Sequence, residues 1–132
     1  QVMFDVQVYT LEAGMTLQEM MKDAHATATE KGWWDDNPPR TFGDQIALMH
    51  SELSEALEQY RVTGMLSTGF LYLAGGRLTD KQKPEGIAIE FADVLIRIFD
   101  TCEHYQIPLD RALAIKLAYN KTRQKKHGGK II

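Results

Sequence analysis

One segment constrains the fold of this chain more than any other, because residues 87–99 are apolar on almost every side of a helix. Its apolar members are Ile87, Ile89, Phe91, Val94, Leu95, Ile96, Ile98 and Phe99. A helix that is hydrophobic all round is expected to lie buried in a larger helical structure. Glu90 and Asp93 interrupt the segment three residues apart, and therefore on one face. The segment predicts a buried helix that carries an acidic site.

Capping and breaking residues predict four helices, over about residues 17–31, 42–62, 84–105 and 108–126. The first follows a Thr-x-x-Glu capping box, and Pro84 and Pro108 suit the first turns of the third and fourth. The expected apolar faces are Leu17, Met20, Met21, Ala24 and Ala28 on the first helix, and Ile46, Met49, Leu53, Leu57 and Tyr60 on the second. We therefore expect an all-α fold, a single domain over residues 1–132, built as an antiparallel four-helix bundle or an intertwined oligomer. Residues 64–83 predict a short hairpin around a glycine turn, or a mobile flap.

Composition and charge exclude several classes of protein. The 132 residues carry a net charge of −3, yet residues 111–132 hold seven basic side chains and no acidic one. The negative net charge of the whole sequence argues against a general nucleic-acid binder, which usually carries an excess of basic residues. No apolar run approaches the roughly 20 residues of a bilayer span, and the segment beginning at Gln1 lacks a signal pattern, so we expect a cytoplasmic protein without a membrane partner. The single cysteine, Cys102, is expected to be a buried, inert thiol.

A second acidic pair lies on the second helix, where Glu52 and Glu55 are also three residues apart. Packing of this helix against the third would bring four carboxylates together. Two such charges about 5 Å apart repel by roughly 3 kcal/mol at an effective dielectric constant of about 20, so the cluster favours a bound cation. All-oxygen ligation suits Mg2+. The structural alternative is an arginine partner, for which Arg97 is the candidate.

The fourth helix presents cations along one face. Lys116, Asn120, Arg123 and His127 recur at spacings of four, three and four. A guanidinium can chelate phosphate oxygens and an ammonium acts as a point charge, so this face suits a polyphosphate. A solvated cationic helix end is the better explanation for Lys125, Lys126 and Lys130, but it explains Asn120 poorly.

The two acidic pairs followed by Lys116-x-x-Tyr119-Asn120-x-x-Arg123 resemble the all-α nucleotide pyrophosphohydrolases, the MazG-like proteins and dCTP pyrophosphatases. The resemblance spans about residues 17–130. It implies hydrolysis of (deoxy)nucleoside triphosphates between the α and β phosphates, giving the monophosphate and pyrophosphate. It also implies Mg2+, for which Mn2+ can substitute, and a role in nucleotide-pool housecleaning with a weak preference for pyrimidines such as dCTP.

The same resemblance implies roles for individual residues. The metal ligands would be Glu52, Glu55, Glu90 and Asp93. The substrate-binding residues would be Lys116 and Arg123 for phosphates, Asn120 for sugar or phosphate, Tyr119 beside them, and Trp33 or Trp34 with Asn37 and Arg40 around the base. Many relatives have two consecutive acids where this chain has Ser51 and Glu52, so Glu55 is the first candidate for the catalytic base and Glu52 the second. Helices of a homodimer, or of a dimer of dimers, would complete the site.

Two other functions remain open at the level of sequence. Phosphoribosyl-ATP pyrophosphohydrolases have a similar helical fold and similar metal-binding acids. A non-catalytic helical module that binds a partner could use the same acids to hold a structural cation. A di-iron protein is disfavoured, because no Glu in the chain is followed by a His three residues later.

Overall fold

The computed structural model describes residues 14–64, 72–73 and 84–123. Four helices account for nearly all of this part: α1 (Leu17–Glu30), α2 (Phe42–Thr63), α3 (Ile87–His104) and α4 (Leu109–Thr122). Two-residue strands β1 (Tyr72–Leu73) and β2 (Pro84–Glu85) pair in antiparallel fashion before α3 begins. The prediction of an all-α fold with four helices is therefore confirmed apart from this short pairing. None of the helices described combines the length and the apolar character needed to cross a bilayer.

Capping boxes fix where the first two helices begin. The Thr16 hydroxyl accepts a hydrogen bond from the backbone of Glu19 at 3.1 Å, and the Glu19 carboxylate accepts one in return. Thr41 and Asp44 repeat the arrangement at the start of α2, with distances of 3.1 and 2.7 Å. Each box satisfies backbone N–H groups that the first turn of a helix leaves without a partner. At the other end, α2 stops at Gly64, whose φ of 64° is left-handed and favours glycine.

Two predicted helix boundaries are wrong. Pro84 lies in β2, not in the first turn of α3, because Gly86 has a φ of 125° and its backbone cannot belong to a right-handed helix. The fourth helix ends at Thr122 instead of near residue 126, since Arg123 is extended with ψ of 145°. Most of the predicted hairpin or flap over residues 64–83 lies outside the described residues.

The centre of the fold is α3, which packs against both α1 and α2. The predicted inner face of α1 is correct: Met21 is buried and its apolar neighbours on that face are half-buried. On α2, however, the buried side chains are Gln45, Glu52 and Ala56, and most of the predicted apolar stripe is exposed. The sequence pattern identified an apolar face on α2 correctly but could not show that α3 takes another face.

The fourth helix stands apart from this three-helix unit. It does not pack along α1, α2 or α3, and it buries none of its side chains. Ile115 is 65% exposed and Leu117 is 53% exposed. Among the described residues, apolar side chains are therefore exposed on α2 and α4. They are also exposed on α3, where Phe91, Leu95 and Ile96 are about half exposed, so the prediction of a buried helix is wrong for this part of α3.

The capping box of α2 predicts a pH-dependent contribution to stability. The backbone N–H of Thr41, followed by its hydroxyl, lowers the pKa of Asp44 below its usual value of 3.8. A carboxyl whose pKa is lower in the folded state stabilises the fold above the unfolded pKa, and this stabilisation is lost as pH falls through the folded pKa. We expect Asp44→Asn to lower the free energy of unfolding at about pH 7, and to change it much less at about pH 3. Urea titrations at both pH values measure this; an equal loss at both would contradict the assignment.

Candidate functional site

A cleft of about 830 Å3 opens between α1, α2, α3 and the loop that joins α1 to α2. Ligand-binding pockets commonly have volumes of about 300–1,000 Å3, so the cleft is large enough for a nucleotide. Its polar and aromatic lining residues are Asp23, Thr27, Trp33, Trp34, Arg40, Gln45, Glu52, Glu55, Asp93, Arg97, Phe99 and Asp100. The cleft therefore combines carboxylates, guanidinium groups and indole rings on one surface.

Three carboxylates converge where α2 meets α3. Glu52, Glu55 and Glu90 each offer one oxygen, and these oxygens all lie within 4.8 Å of one another. Glu52 and Glu90 are buried, with 7% and 4% of their surfaces exposed, whereas Glu55 is exposed and lines the cleft beside Glu52. Asp93, the fourth predicted ligand, is half-buried and lines the same cleft without belonging to this group of three. Side-by-side packing of the two helices thus brings three of the four predicted acids together, whereas Asp93 lines the cleft outside this group.

Arg97 joins this cluster from α3. Its Nε donates a hydrogen bond to Oε1 of Glu52 at 2.5 Å, and both side chains are largely shielded from water. The arginine partner that the sequence suggested is therefore present, but it reaches across to α2. Charge-assisted hydrogen bonds of this kind are stronger than neutral ones, and one partner left alone in a shielded position would be costly.

Trp33 lies beside the acidic cluster and is 46% exposed. The guanidinium groups of Arg40 and Arg97 both lie 5.5 Å from the centre of its ring system. This distance is within the range of a cation–π interaction. Arg97 thus contacts both the acids and the aromatic part of the cleft, and it connects the two.

Trp34 is held far more firmly than its neighbour. Its Nε1 donates a hydrogen bond to Oδ1 of Asp100 at 2.9 Å, and Nδ1 of His25 lies 2.7 Å from the same oxygen. The ring of His104 stacks on Trp34 with centroids 3.6 Å apart and planes 6° from parallel. Trp34 is therefore a packing anchor with one ring face covered. His25 and His104 thus contact Asp100 and the Trp34 ring, respectively.

The predicted phosphate-binding residues lie elsewhere in the single chain. Lys116 and Asn120 are exposed on α4, Arg123 is exposed just after its end, and none of the three lines the cleft. Lys116 Nζ and the Arg123 guanidinium lie 5.1 and 5.8 Å from the ring centre of Tyr119, which is also exposed. Their role in substrate binding stays a prediction.

Sequence reasoning missed the part that Asp100 plays, and it proposed Arg97 as a partner of the acids without specifying Glu52. The signal was present, because Glu90, Asp93, Arg97 and Asp100 follow at intervals of three, four and three along α3. Such intervals place side chains on one face of a helix. The apolar residues that dominate α3 obscure this continuous polar stripe in the sequence.

Cys102 is buried, as the sequence predicted, and desolvation raises the pKa of its thiol. A raised pKa keeps the sulfur neutral, and only the thiolate is an effective nucleophile or metal ligand. Cys102 also does not line the cleft. Comparison of the chain with protein families, curated proteins and solved structures finds no match.

The two tryptophans predict different losses of stability. Trp34→Ala removes a hydrogen bond to Asp100 and a stacked ring, and we expect it to lower the free energy of unfolding by about 3 kcal/mol. Trp33→Ala removes a half-exposed ring and should cost less than about 1 kcal/mol. Chemical denaturation of both variants measures the difference. Equal losses, or a larger loss for Trp33→Ala, would contradict the anchoring role of Trp34.

Proposed function

We propose that this protein is a Mg2+-dependent nucleoside triphosphate pyrophosphohydrolase that releases pyrophosphate and the nucleoside monophosphate. The observation that carries the proposal is the convergence of carboxylate oxygens from Glu52, Glu55 and Glu90 within 4.8 Å beside a cleft of nucleotide size. The resemblance of its acidic pairs to MazG-like proteins supports the same activity. Housecleaning of nucleotide pools in the cytoplasm would be the corresponding role.

The donor set fits a hard divalent cation. Carboxylate oxygens suit Mg2+ and Mn2+, and the described part of the chain brings no thiolate or imidazole into this group of three. Glu52, Glu55 and Glu90 would hold the metal, with Asp93 as a fourth ligand on the cleft side. When bound, the metal supplies charge neutralisation for the phosphates and acidifies a water.

Of the two candidate bases, Glu55 is better placed to accept a proton. It is exposed on the cleft surface, whereas Oε1 of Glu52 is already engaged by Arg97. Glu55 would orient the attacking water and take its proton as the water oxygen bonds to one of the two phosphorus atoms that share the α–β bridging oxygen. The bond from that phosphorus to the bridging oxygen would break, so that the monophosphate and pyrophosphate separate. Such reactions require positioning and charge neutralisation more than covalent participation. Carboxylates that hold a metal and orient a water are therefore the types of residue that the reaction needs.

The aromatic end of the cleft would receive the nucleoside. Trp33 offers a half-exposed ring for stacking against the base, while Trp34 shapes the wall behind it. Stacking alone accepts every base, since each has a π face. A preference for dCTP-like pyrimidines therefore rests on the resemblance to dCTP pyrophosphatases.

Self-association would complete the fold and the site. The stripe Ile46, Leu53, Leu57 and Tyr60 is exposed on α2, and Leu113, Ile115 and Leu117 are exposed on α4. Burial of apolar surface drives most protein association, at about 25 cal/mol per Å2. In a homodimer or a dimer of dimers, α4 of a second copy could place Lys116, Asn120 and Arg123 near the phosphates.

Substitution of one buried ligand tests the proposed activity. We expect Glu90→Gln to lower pyrophosphate release from nucleoside triphosphates by more than about a hundredfold, because it removes a carboxylate from the metal-binding group. Glu58→Gln is the matched control, since Glu58 lies on α2, pairs with Arg61 at the surface and does not line the cleft. The assay uses all common nucleotides with Mg2+ and separates pyrophosphate from orthophosphate.

The outcomes distinguish the candidate functions. Orthophosphate as the product would contradict cleavage between the α and β phosphates. Turnover of phosphoribosyl-ATP alone would favour the alternative activity, that of a phosphoribosyl-ATP pyrophosphohydrolase. No turnover of any substrate by a folded protein would favour the non-catalytic module, for which the Glu52–Arg97 ion pair supplies a structural use of the acids.

The exposed apolar faces predict an oligomer that surface charges disrupt. We expect Leu57→Asp, at a position 58% exposed in one chain, to reduce the mass in solution to that of a single chain. Thr29→Asp is the control, because Thr29 is exposed on α1 away from the apolar faces. Light scattering after size exclusion gives the masses. A monomeric unmodified protein would rule out the oligomer.

A further inference from the structure

We propose that Arg97 is an internal counter-ion of the acidic cluster and lowers its affinity for a divalent cation by competing for Glu52. The inference deepens the proposed function, because it concerns the regulation of the same metal site and rests on that site. The observation behind it is the hydrogen bond from Arg97 Nε to Glu52 Oε1. Glu52 is one of the three residues whose carboxylates converge.

Arg97 directly contacts a residue of the proposed metal site and also lines the cleft. It hydrogen bonds to one proposed ligand, it lines the cleft beside Glu55, and its guanidinium lies 5.5 Å from the ring centre of Trp33. A cation bound to the carboxylates would share Glu52 with a fixed positive charge. A single and a double positive charge about 6 Å apart repel enough, even in bulk water, to change an equilibrium constant about tenfold.

Two opposite effects of Arg97 on metal binding can be separated by experiment. As a counter-ion, it repels the metal and occupies part of Glu52. As an orienting partner, it would instead hold Glu52 in a productive position. Groups that orient metal ligands usually raise metal affinity about 10- to 100-fold, so this effect would have the opposite sign. We favour the first effect, because Glu52 is on a rigid helix and its position is already fixed by burial, with 7% of its surface exposed.

Arg97 also has an alternative partner in the proposed reaction. It lies between the acids and the aromatic part of the cleft, so an anionic phosphate bound there could accept hydrogen bonds from the guanidinium in place of Glu52. The counter-ion would then be displaced from Glu52 when metal and phosphate arrive together. Free protein would hold the metal weakly, and substrate would favour its retention.

The test measures Mn2+ binding by the nucleotide-free protein and three variants, with electron paramagnetic resonance reporting the free ion. Arg97→Met should tighten Mn2+ binding at least about tenfold, because it removes the charge and keeps an apolar stem. Arg97→Lys keeps the charge, so its affinity should remain within about threefold of the unmodified protein. Arg40→Met is the matched control and should also change little, because Arg40 contacts Trp33 but pairs with Asp36 outside the acidic cluster.

Thermal unfolding gives a second readout that does not depend on activity. Without metal, Arg97→Met should lower the melting temperature by about 5 °C or more, because it leaves a shielded Glu52 without its cation. Saturating Mn2+ should restore most of this loss. The unmodified protein should gain less from Mn2+ than the variant does.

The possible results separate the inference from the proposed function. Unchanged or weaker Mn2+ binding in Arg97→Met, with clear binding by the unmodified protein, would overturn the counter-ion role and leave the metal site intact. Tight binding in both Met variants would assign the effect to general loss of positive charge in the cleft and would also overturn it. Absence of Mn2+ binding in every form, Arg97→Met included, would overturn the inference together with the metal site.

Discussion

The packing of α2 against α3 is the constraint on which the rest of this structure depends, because it places carboxylates from two helices in one shielded position. Glu52 and Glu90 are both buried, and their oxygens lie within 4.8 Å of each other and of Glu55. Two charges at about 5 Å repel by roughly 3 kcal/mol at an effective dielectric constant of about 20. An interface that stabilised the fold alone would more simply use apolar side chains of similar size. The acids at this interface are the basis of the proposed metal site, and Arg97 is the cation that pairs with Glu52.

The same interface explains why few of the apolar side chains that the structure describes are buried. Among the residues described, Met21, Ala56 and Cys102 are the buried apolar side chains, while Gln45, Glu52, Glu90 and Thr101 are buried polar ones. The face of α2 that meets α3 carries Gln45 and Glu52, so the apolar face of α2 must lie elsewhere. It lies on the surface together with the apolar residues of α4. Use of one helix face for chemistry and another for self-association connects the proposed activity to the proposed oligomer.

Local features of the fold were predictable from sequence, whereas partner choice was not. The Thr16 and Thr41 capping boxes and the stop at Gly64 were encoded within a few residues, so α1 and α2 begin and end close to the predicted positions. The start of α3 was misplaced, because Pro84 suits a strand end as well as a helix start. The convergence of the acids followed from the spacing on α2 and α3. Amphipathic spacing does not reveal which neighbour covers a face, and this explains why the exposure of α2 and α4 was not foreseen.

Diffraction from crystals soaked in Mn2+ tests the central claim most directly, with data collected at the manganese absorption edge. The account predicts an anomalous peak between the carboxylates of Glu52, Glu55 and Glu90, at distances of about 2.0–2.3 Å from their oxygens. A soaked crystal with no peak at this position, and with Arg97 still bonded to Glu52 as the sole cation at the cluster, would contradict it.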